Sequence, residues 1–303
     1  MDGSIARPRP FLALGLRLLT ALTLATMAML LKLGSEQGVH LFELIFWRQA
    51  ITLFVIGAIL WAGGRLASVK TKRIGAHAKR AIYGITGMCF VYGAVILLPL
   101  AEATTISFTT PFFAVMLAVI FFKEKVGLYR WSAVILGFVG VLVIVQPASL
   151  AIDPVGLVVG LVAAFLVALI SFQIQDLNNT ETPWSIVFWF TALTTPLVAL
   201  TLPFVASSHT AEVWAIIVAM SLSGAVAQML LTTSLRFGSA AVIIVIDYTA
   251  LLWATIYGWT VFEELPSTTV WYGAPLIIGA GLIITWREYV IKNKVKPHSS
   301  EPA

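Results

Sequence analysis

The sequence has little charge and a single cysteine. Of its 303 residues only 11% are Asp, Glu, Lys or Arg, whereas 59% belong to the apolar set AVILMFWYC. A soluble domain carries about 25% charged residues, so this chain cannot cover a water-facing surface and is not a soluble globular protein. The same composition excludes intrinsic disorder. Because Cys89 has no partner cysteine, a disulfide-rich secreted module is excluded as well.

Motifs of known enzyme classes and of ATP-driven pumps are also missing. The four histidines are scattered and form no H-E-x-x-H pair, and one cysteine cannot build a thiolate zinc cluster. Neither a Walker A loop nor a G-x-S-x-G nucleophile elbow occurs, so ATP-driven transport would need another chain. We therefore expect no enzyme activity, no cofactor and no metal site.

Long apolar runs fill most of the chain. A bilayer core about 30 Å thick takes about 20 apolar residues in a helix. Ten such runs occur, at 11–31, 40–61, 80–98, 100–122, 131–147, 154–174, 184–203, 211–232, 239–262 and 268–286. Many neighbouring runs are separated by only a few residues and must form antiparallel hairpins. The sequence thus predicts an all-α polytopic membrane protein with ten transmembrane helices.

The basic residues follow this predicted topology. Most of the nineteen lysines and arginines precede the first run or lie in alternate loops; Arg65, Lys79 and Arg80, for example, lie around the loop between runs two and three. The positive-inside rule then places both termini in the cytoplasm. The net charge of +5 reflects topology, so no nucleic-acid partner is expected. The basic loop 62–79 either holds the topology or binds anionic lipid headgroups or a partner.

An internal repeat is visible at a shift of 140 positions, which aligns residues 101–136 with 241–276. The pattern F-x-E-x6-W occurs in both, at Phe122-Glu124-Trp131 and Phe262-Glu264-Trp271. The predicted domains are a first repeat at 1–150, a second at 151–290 and a polar cytoplasmic tail at 291–303. Five runs per repeat is an odd number, so the second repeat is inverted in the membrane. Inverted repeats are typical of secondary transporters, which bind substrate near the midplane between the halves, although channels have them too.

Two stretches carry a family resemblance. PLAEATTISFTTPFFAVMLAVIFFKEKVGLYRWSAVILGFVGVLVI and FGSAAVIIVIDYTALLWATIYGWTVFEELPSTTVWYGAPLIIGAGLII resemble the EamA family of the drug/metabolite transporter superfamily, over nearly the whole chain. The resemblance implies a multi-pass protein of the bacterial inner membrane. That family includes amino-acid and metabolite exporters, riboflavin uptake carriers and S-adenosylmethionine uptake carriers. The FWRQ motif of run two and the Asp-Tyr pair of run nine look somewhat like the S-adenosylmethionine group.

Ionisable residues inside membrane spans are candidate functional residues, because burying them costs several kcal/mol. Arg48 and Asp247 are the two that lie well inside predicted runs. Their depths differ by about 8–10 Å at 1.5 Å per residue, which suits a small zwitterionic substrate between them. A direct ion pair, or a purely structural role, is the alternative. Asp247 is also the candidate for coupling transport to protons. Glu43 is expected in an external vestibule or as a plain interfacial charge.

Neutral polar and aromatic residues complete the candidate substrate site. Ser107 aligns with Asp247 in the repeat, and the Thr110-Pro111 step is expected to loosen the helix ladder. Aromatic rings inside spans could stack on a flat ring or a cation. The predicted substrate-binding residues, besides Arg48 and Asp247, are Tyr92, Ser107, Thr109, Gln228, Tyr248 and Trp253.

Three functions are compatible with these features. The favoured one is a secondary transporter that moves a small polar metabolite, such as an amino acid or S-adenosylmethionine, by alternating access. The alternatives are an uncoupled channel-like facilitator and a membrane-embedded enzyme acting on lipid-linked substrates. The expected partners are the substrate, the bilayer and protons as a candidate coupling ion, and the chain is expected to be a monomer or homodimer. Runs 2, 3, 4, 7, 8 and 9 are expected to line the cavity.

Overall fold

The fold was analysed in a computed structural model, which describes residues 10–122, 128–145, 153–237 and 249–294. Within these ranges the secondary structure is helical. The helices are α1 Pro10–Glu36, α2 Leu41–Ala62, α3 Ile74–Leu97, α4 Leu100–Ser107, α5 Thr110–Phe122, α6 Leu128–Val145, α7 Pro154–Asn178, α8 Pro183–Ala199, α9 Leu202–Val205, α10 Ala211–Phe237, α11 Thr249–Phe262 and α12 Thr268–Lys294, with a 3-10 turn at Leu66–Val69.

Six apolar segments in the described ranges are long enough to cross a bilayer. They are Gly15–Glu36, Leu41–Ala62, Ile74–Leu97, Leu100–Ile120, Pro154–Asn178 and Ala211–Thr233. Two shorter apolar helices, Pro183–Ala199 and Thr249–Phe262, coincide with further predicted runs. The chain is therefore an all-helical, multi-pass membrane protein. The count of ten spans and the inverted arrangement stay predictions.

Prolines and capping side chains set several helix boundaries, as the sequence indicates. Asp153 caps α7, where its carboxylate accepts hydrogen bonds from the amides of Val155 and Gly156. Thr182 caps α8 in the same way, and both helices begin on a proline. A proline at the first helical position costs nothing, because the amide it lacks would have no partner there. These side chains thus bind amides of the first helical turn, which have no carbonyl partner within the helix.

The fourth predicted run is broken where Thr110 and Pro111 were expected to loosen it. Helix α4 ends at Ser107 and α5 begins at Thr110. The Thr109 hydroxyl donates to the Ile106 carbonyl and the Thr110 hydroxyl to the Ser107 carbonyl, each at 2.7 Å. The Thr110 hydroxyl thus satisfies the Ser107 carbonyl, whose helical partner would be the amide that Pro111 lacks.

One predicted boundary is wrong, with consequences for function. Run three was expected to begin at residue 80, which placed Arg80 among the loop charges. Helix α3 instead begins at Ile74, so Arg80 lies inside the helix and is only 4% exposed. The first turns of α3 carry charged residues, so a search for apolar runs does not include them. They nevertheless pack against the α7–α8 hairpin.

Small residues bring the helices close together. A Cβ added at Gly156 of α7 would lie 2.7 Å from Leu98, and one at Gly160 would lie 3.0 Å from Ile106. Ala164 and Ala168 continue this buried stripe. Close approach through small residues is the usual way in which membrane helices associate. The stripe therefore packs α7 against α3 and α4 within the bundle.

The main contacts of the bundle pair helices that are distant in sequence. Helix α1 packs chiefly on α10, α3 on α7, and α2 on both α8 and α10. Helices α6 and α12 pack chiefly on each other, at a point where a Cβ on Gly140 would lie 2.7 Å from Ile277. The α6–α12 pair, predicted to be peripheral, thus contacts α2, α3, α8 and α10 little or not at all.

The predicted topology can be tested by cysteine labelling of two exposed serines, Ser68 after α2 and Ser208 before α10. In a Cys89→Ala background, a membrane-impermeant maleimide added to intact cells should modify Ser208→Cys and leave Ser68→Cys unmodified. Both should react in permeabilised cells, which controls for accessibility. The reverse pattern would overturn the orientation of the termini.

Candidate substrate site

Arg48 forms the centre of a polar site inside the bundle. It lies on α2 and is only 6% exposed. Its Nη1 donates to Gln49 Oε1 at 3.1 Å and lies 3.3 Å from Met88 Sδ on α3, while Nη2 reaches Gln228 Oε1 on α10 at 3.5 Å. Of the predicted site residues, the structure thus brings Arg48 and Gln228 together.

Gln49 ties this site to a fourth helix. Its side chain is fully buried, and its Nε2 donates a short hydrogen bond to Thr194 Oγ1 on α8. The Thr194 hydroxyl in turn donates to the Phe190 carbonyl at 2.7 Å. Sequence reasoning did not single out Gln49 or Thr194. A signal was present, because Thr194-Thr195-Pro196 repeats the Thr109-Thr110-Pro111 pattern, and both occur inside predicted spans.

The site lies far from both ends of the bundle. Met88 is about 21 Å from the start of α3 and about 14 Å from its end, at 1.5 Å per residue. Gly224, against which Arg48 packs, is the middle residue of α10. Arg48 therefore sits close to half depth, where a charged group is most costly.

Tyr92 lies beside the Arg48 site rather than in it. It is one turn after Met88 on α3, is 2% exposed and belongs to an apolar cluster. Its hydroxyl contacts Met27 Sδ at 3.6 Å. In this conformation Tyr92 fills space between α1 and α3.

The other predicted site residues lie elsewhere. Ser107 is exposed and donates to the Thr104 carbonyl at 2.6 Å, while Thr109 is buried and bonded within its own helix turn. Trp253 lies half-buried on α11, which packs on α1 and α4. Asp247 and Tyr248 are outside the described residues. The site around Arg48 therefore includes only part of the predicted set.

An ion pair joins distant segments at one end of the bundle. Lys32, near the end of α1, is 6% exposed. Its Nζ donates to Glu264 Oε2 at 2.7 Å and to the Leu98 carbonyl at 3.4 Å, and it lies 5.0 Å from the centre of the Phe262 ring. Glu264, the acid of the second F-x-E-x6-W pattern, is thus joined to another helix. We call these groups the Lys32 cluster.

A second pair lies at the same end. Glu43 and His209 are buried, with Oε1 and Nε2 3.0 Å apart, and Trp214 packs edge-on against the His209 ring. Glu43, expected in an external vestibule or as a plain interfacial charge, is buried and paired in this conformation. We call the two residues the Glu43–His209 pair.

The opposite end has a larger polar network. Glu181, in the α7–α8 turn, accepts hydrogen bonds from the hydroxyls of Thr71 at 2.5 Å and Ser185 at 3.0 Å. His77 Nε2 lies 3.8 Å from the same carboxylate. Close by, Arg73 pairs with Asp176 at 2.5 Å. We call this network the Glu181 cluster.

These polar groups divide the bundle into two closed ends and a middle. His77 of the Glu181 cluster and Leu98, whose carbonyl binds Lys32, are about 32 Å apart along α3. That distance is close to the thickness of a bilayer core. The Arg48 site lies between them, so the molecule has a buried polar centre closed at both ends.

An apolar groove lies apart from these sites. It has a volume of about 270 Å³, lies between α11 and α12, and is lined by residues such as Leu251, Thr255, Val270 and Trp271. None of the predicted substrate-binding residues lines it. With almost no polar lining, it does not suit a small polar solute.

Comparison with known proteins identifies the relatives of this chain. The model of the family described as "EamA-like transporter family" matches it twice, over residues 11–146 and 154–286. A riboflavin transporter of Brucella anthropi is 31% identical over 257 residues, covering 83% of this chain and 90% of the relative. The pseudopaline exporter CntI of Pseudomonas aeruginosa is 28% identical, covering 80% and 85%. An S-adenosylmethionine uptake transporter of Rickettsia felis is 28% identical, covering 82% and 84%.

A solved structure supports the fold. A crystal structure of another protein superposes with a TM-score of 0.63 at 21% identity, covering 90% of this chain and 97% of that one. At this identity the likeness concerns the fold alone. All the relatives named above are transporters, in line with the expectation of a transporter rather than an enzyme.

Removing the charge of Glu264 should destabilise the protein. Glu264→Gln leaves the buried ammonium of Lys32 with a weaker, neutral acceptor, which should cost about 1–2 kcal/mol. The measurement is the Tm in detergent, followed by tryptophan fluorescence. The matched control is Glu263→Gln, which removes the same charge from the exposed neighbour and should leave the Tm close to wild type. Equal Tm values for the two variants would show that the Lys32–Glu264 pair contributes nothing to stability.

Proposed function

We propose that this chain, which belongs to the EamA-like transporter family, is a secondary transporter that moves a small polar metabolite by alternating access. The observation that carries this proposal is the buried Arg48 site near half depth, which is closed from both ends of the bundle by polar contacts. At one stage of its cycle, a transporter of this kind holds its substrate in a site that is inaccessible from both sides of the membrane. A continuous channel would not need to close at both ends.

The inverted repeat fits the pattern of helix contacts. If α1, α2 and α3 correspond to α7, α8 and α10, the main contacts occur in pairs: α1–α10 with α7–α3, and α2–α10 with α8–α3. The remaining large contacts, α2–α8 and α6–α12, each join two corresponding helices. The double match of the family model supports the same division. We propose repeats at 1–150 and 151–290, followed by a polar tail at 291–303.

The ion pairs described at the two ends, and the Thr71–Glu181 hydrogen bond, cross from one proposed repeat to the other. At one end Lys32 binds Glu264 and Glu43 binds His209. At the other end Thr71, Arg73 and His77 face Asp176 and Glu181. Rocking of one repeat against the other would break one set of contacts while keeping the other. The structure, with both sets formed, then corresponds to an occluded state.

Localisation and substrate class follow the relatives. The relatives named above are bacterial, which supports an inner-membrane protein, and the basic loops support cytoplasmic termini. Their names give the compounds to test, namely riboflavin, pseudopaline and S-adenosylmethionine, together with amino acids.

Counterflow in proteoliposomes tests carrier function. Liposomes loaded with one unlabelled compound of this panel should transiently accumulate the same labelled compound against its gradient, because a carrier exchanges substrate across the membrane. A channel-like facilitator would equilibrate the label without overshoot. If no compound shows an overshoot and at least one equilibrates passively, the result favours the facilitator.

Cross-linking each end tests alternation in the same assay. In a Cys89→Ala background, the pair Lys32→Cys/Glu264→Cys is bridged with a short thiol-specific reagent, and Thr71→Cys/Glu181→Cys serves at the opposite end. Each bridge alone should abolish counterflow, and reductive release should restore it. Each single-cysteine variant treated identically is the control. Full counterflow with either end bridged would contradict alternating access.

Proton coupling is a separate proposal that concerns Asp247. The supporting observation is a carboxylic acid within a predicted span, where ionisation is costly and can be linked to substrate binding. Asp247→Asn keeps the shape and removes the titrating group. We expect this variant to insert and fold but to lose uptake driven by a pH gradient. Wild-type uptake under a pH gradient by a well-expressed Asp247→Asn protein would make Asp247 a structural residue.

A further inference from the structure

Two buried arginines in the bundle lack a counter-ion. Arg48 is 6% exposed and Arg80 is 4% exposed. Among the residues that the structure describes, neither has a carboxylate within ion-pair distance. The Nε of Arg48 and both Nε and Nη1 of Arg80 are buried without a hydrogen-bond partner. Isolated ionised groups are very costly to bury, so two of them demand an explanation.

Arg80 is directed into the bundle rather than out of it. An arginine near the end of a membrane helix normally extends towards the nearer interface. The side chain of Arg80 instead runs along α3 towards the middle, where its guanidinium occupies the space that a side chain on Gly84 would fill. The Phe190 ring of α8 covers the guanidinium at 4.2 Å.

The two guanidinium groups lie on one face of α3. Arg80, Gly84 and Met88 are spaced four residues apart and therefore share that face. Arg48 contacts Met88 Sδ at 3.3 Å, and the Arg80 guanidinium lies against Gly84, one turn earlier on the same face. The charges therefore converge on the region between α2, α3 and α8.

Two described acids, one on α2 and one in the α7–α8 turn, are already engaged. Glu43 is paired with His209, and Glu181 accepts bonds from Thr71 and Ser185. Neither carboxylate contacts Arg48 or Arg80. No described acid therefore neutralises the two positive charges.

Glycines give both guanidinium groups their room. A Cβ on Gly84 would overlap Arg80 Nη1 and lie 2.5 Å from the Phe190 ring. A Cβ on Gly224 would lie 2.8 Å from Arg48 Nε. The Gln49 side chain, held by Thr194, in turn orients Arg48. The surrounding residues thus leave space for both guanidinium groups.

We propose that Arg48 and Arg80 together bind an anionic group, a carboxylate or phosphate, of the transported metabolite. The guanidinium fork matches the geometry of both groups, and the pairing is strong where water is excluded. This inference rests on the proposed transport function and specifies its substrate class. The unpartnered N–H groups are then the donors that the anion satisfies. Phe190, Gln49 and Gln228 are positioning residues, which hold the two guanidinium groups in place.

Matched compounds that differ in one anionic group test the proposal. The pairs are riboflavin 5′-phosphate with riboflavin, S-adenosylmethionine with its decarboxylated form, and methionine with methioninamide. Binding is measured for the full chain in detergent as the ligand-dependent rise in Tm at constant ionic strength, with inorganic phosphate and succinate alone as further probes. Transport of the same compounds is measured by counterflow.

In at least one pair, the compound that carries the carboxylate or phosphate should bind about tenfold more tightly than the partner that lacks this group. Arg80→Gln and Arg48→Gln should abolish this preference, and Arg80→Lys should restore only part of it. Without ligand, Arg80→Gln should keep or raise the Tm, because it removes an unpaired buried charge. If Arg80 instead stabilises the fold, the same substitution should lower the Tm. Arg65→Gln, which removes an exposed charge after α2, is the matched control and should leave binding unchanged.

Gly84→Ala gives a second test that keeps both charges. The added methyl group displaces the Arg80 guanidinium and should weaken anion binding several-fold, with little effect on neutral compounds. Counterflow of a compound without an anionic group, at a rate that added anions do not change, would overturn the anion site. The transporter proposal would still stand. If no compound is transported, binding of phosphate or succinate that depends on Arg80 still supports the site. Absence of binding by every anion tested overturns it.

Discussion

The absence of water inside an apolar bundle is the constraint on which the structure depends. Every polar group placed there must be satisfied by the protein itself. Most are satisfied locally, since threonine and serine hydroxyls such as those of Thr109 and Thr194 donate to carbonyls of their own helix. Against this background the incompletely bonded guanidinium groups of Arg48 and Arg80 stand out. They have the chemistry of a binding site that is complete only with its ligand.

The same constraint explains where the long-range polar contacts lie. Ion pairs and networks occur at the two ends of the bundle, near the depth at which water is available when an end opens. At each end the partners come from opposite halves of the chain, as in Lys32 with Glu264 and Thr71 with Glu181. Water that enters an opened end can hydrogen-bond the separated partners, which makes such contacts suitable for breaking and re-forming. Apolar helix contacts, such as those of the α6–α12 pair, cannot be replaced by hydrogen bonds to water in this way.

Sequence reasoning recovered part of the candidate site. Arg48 was predicted because a charge inside an apolar run is conspicuous, and Gln228 was selected for the same kind of reason. Arg80 was missed because it follows Lys79 and a basic loop, and a count of loop charges cannot distinguish a buried guanidinium from a solvated one. Gln49 was passed over although it adjoins Arg48. Hydrogen-bond partners in other helices, such as Thr194, have no signature in local sequence.

Composition and periodicity by themselves determined that this chain is helical and crosses a membrane several times, because bilayer thickness and charge asymmetry act on each segment separately. The positions of the helix-starting prolines and the break at Thr110-Pro111 were likewise local properties. Only the tertiary structure decided that Glu43 is buried against His209 and that Arg80 turns inward past Gly84. Those outcomes depend on which helices meet and how closely, and that is set by packing between residues far apart in the chain.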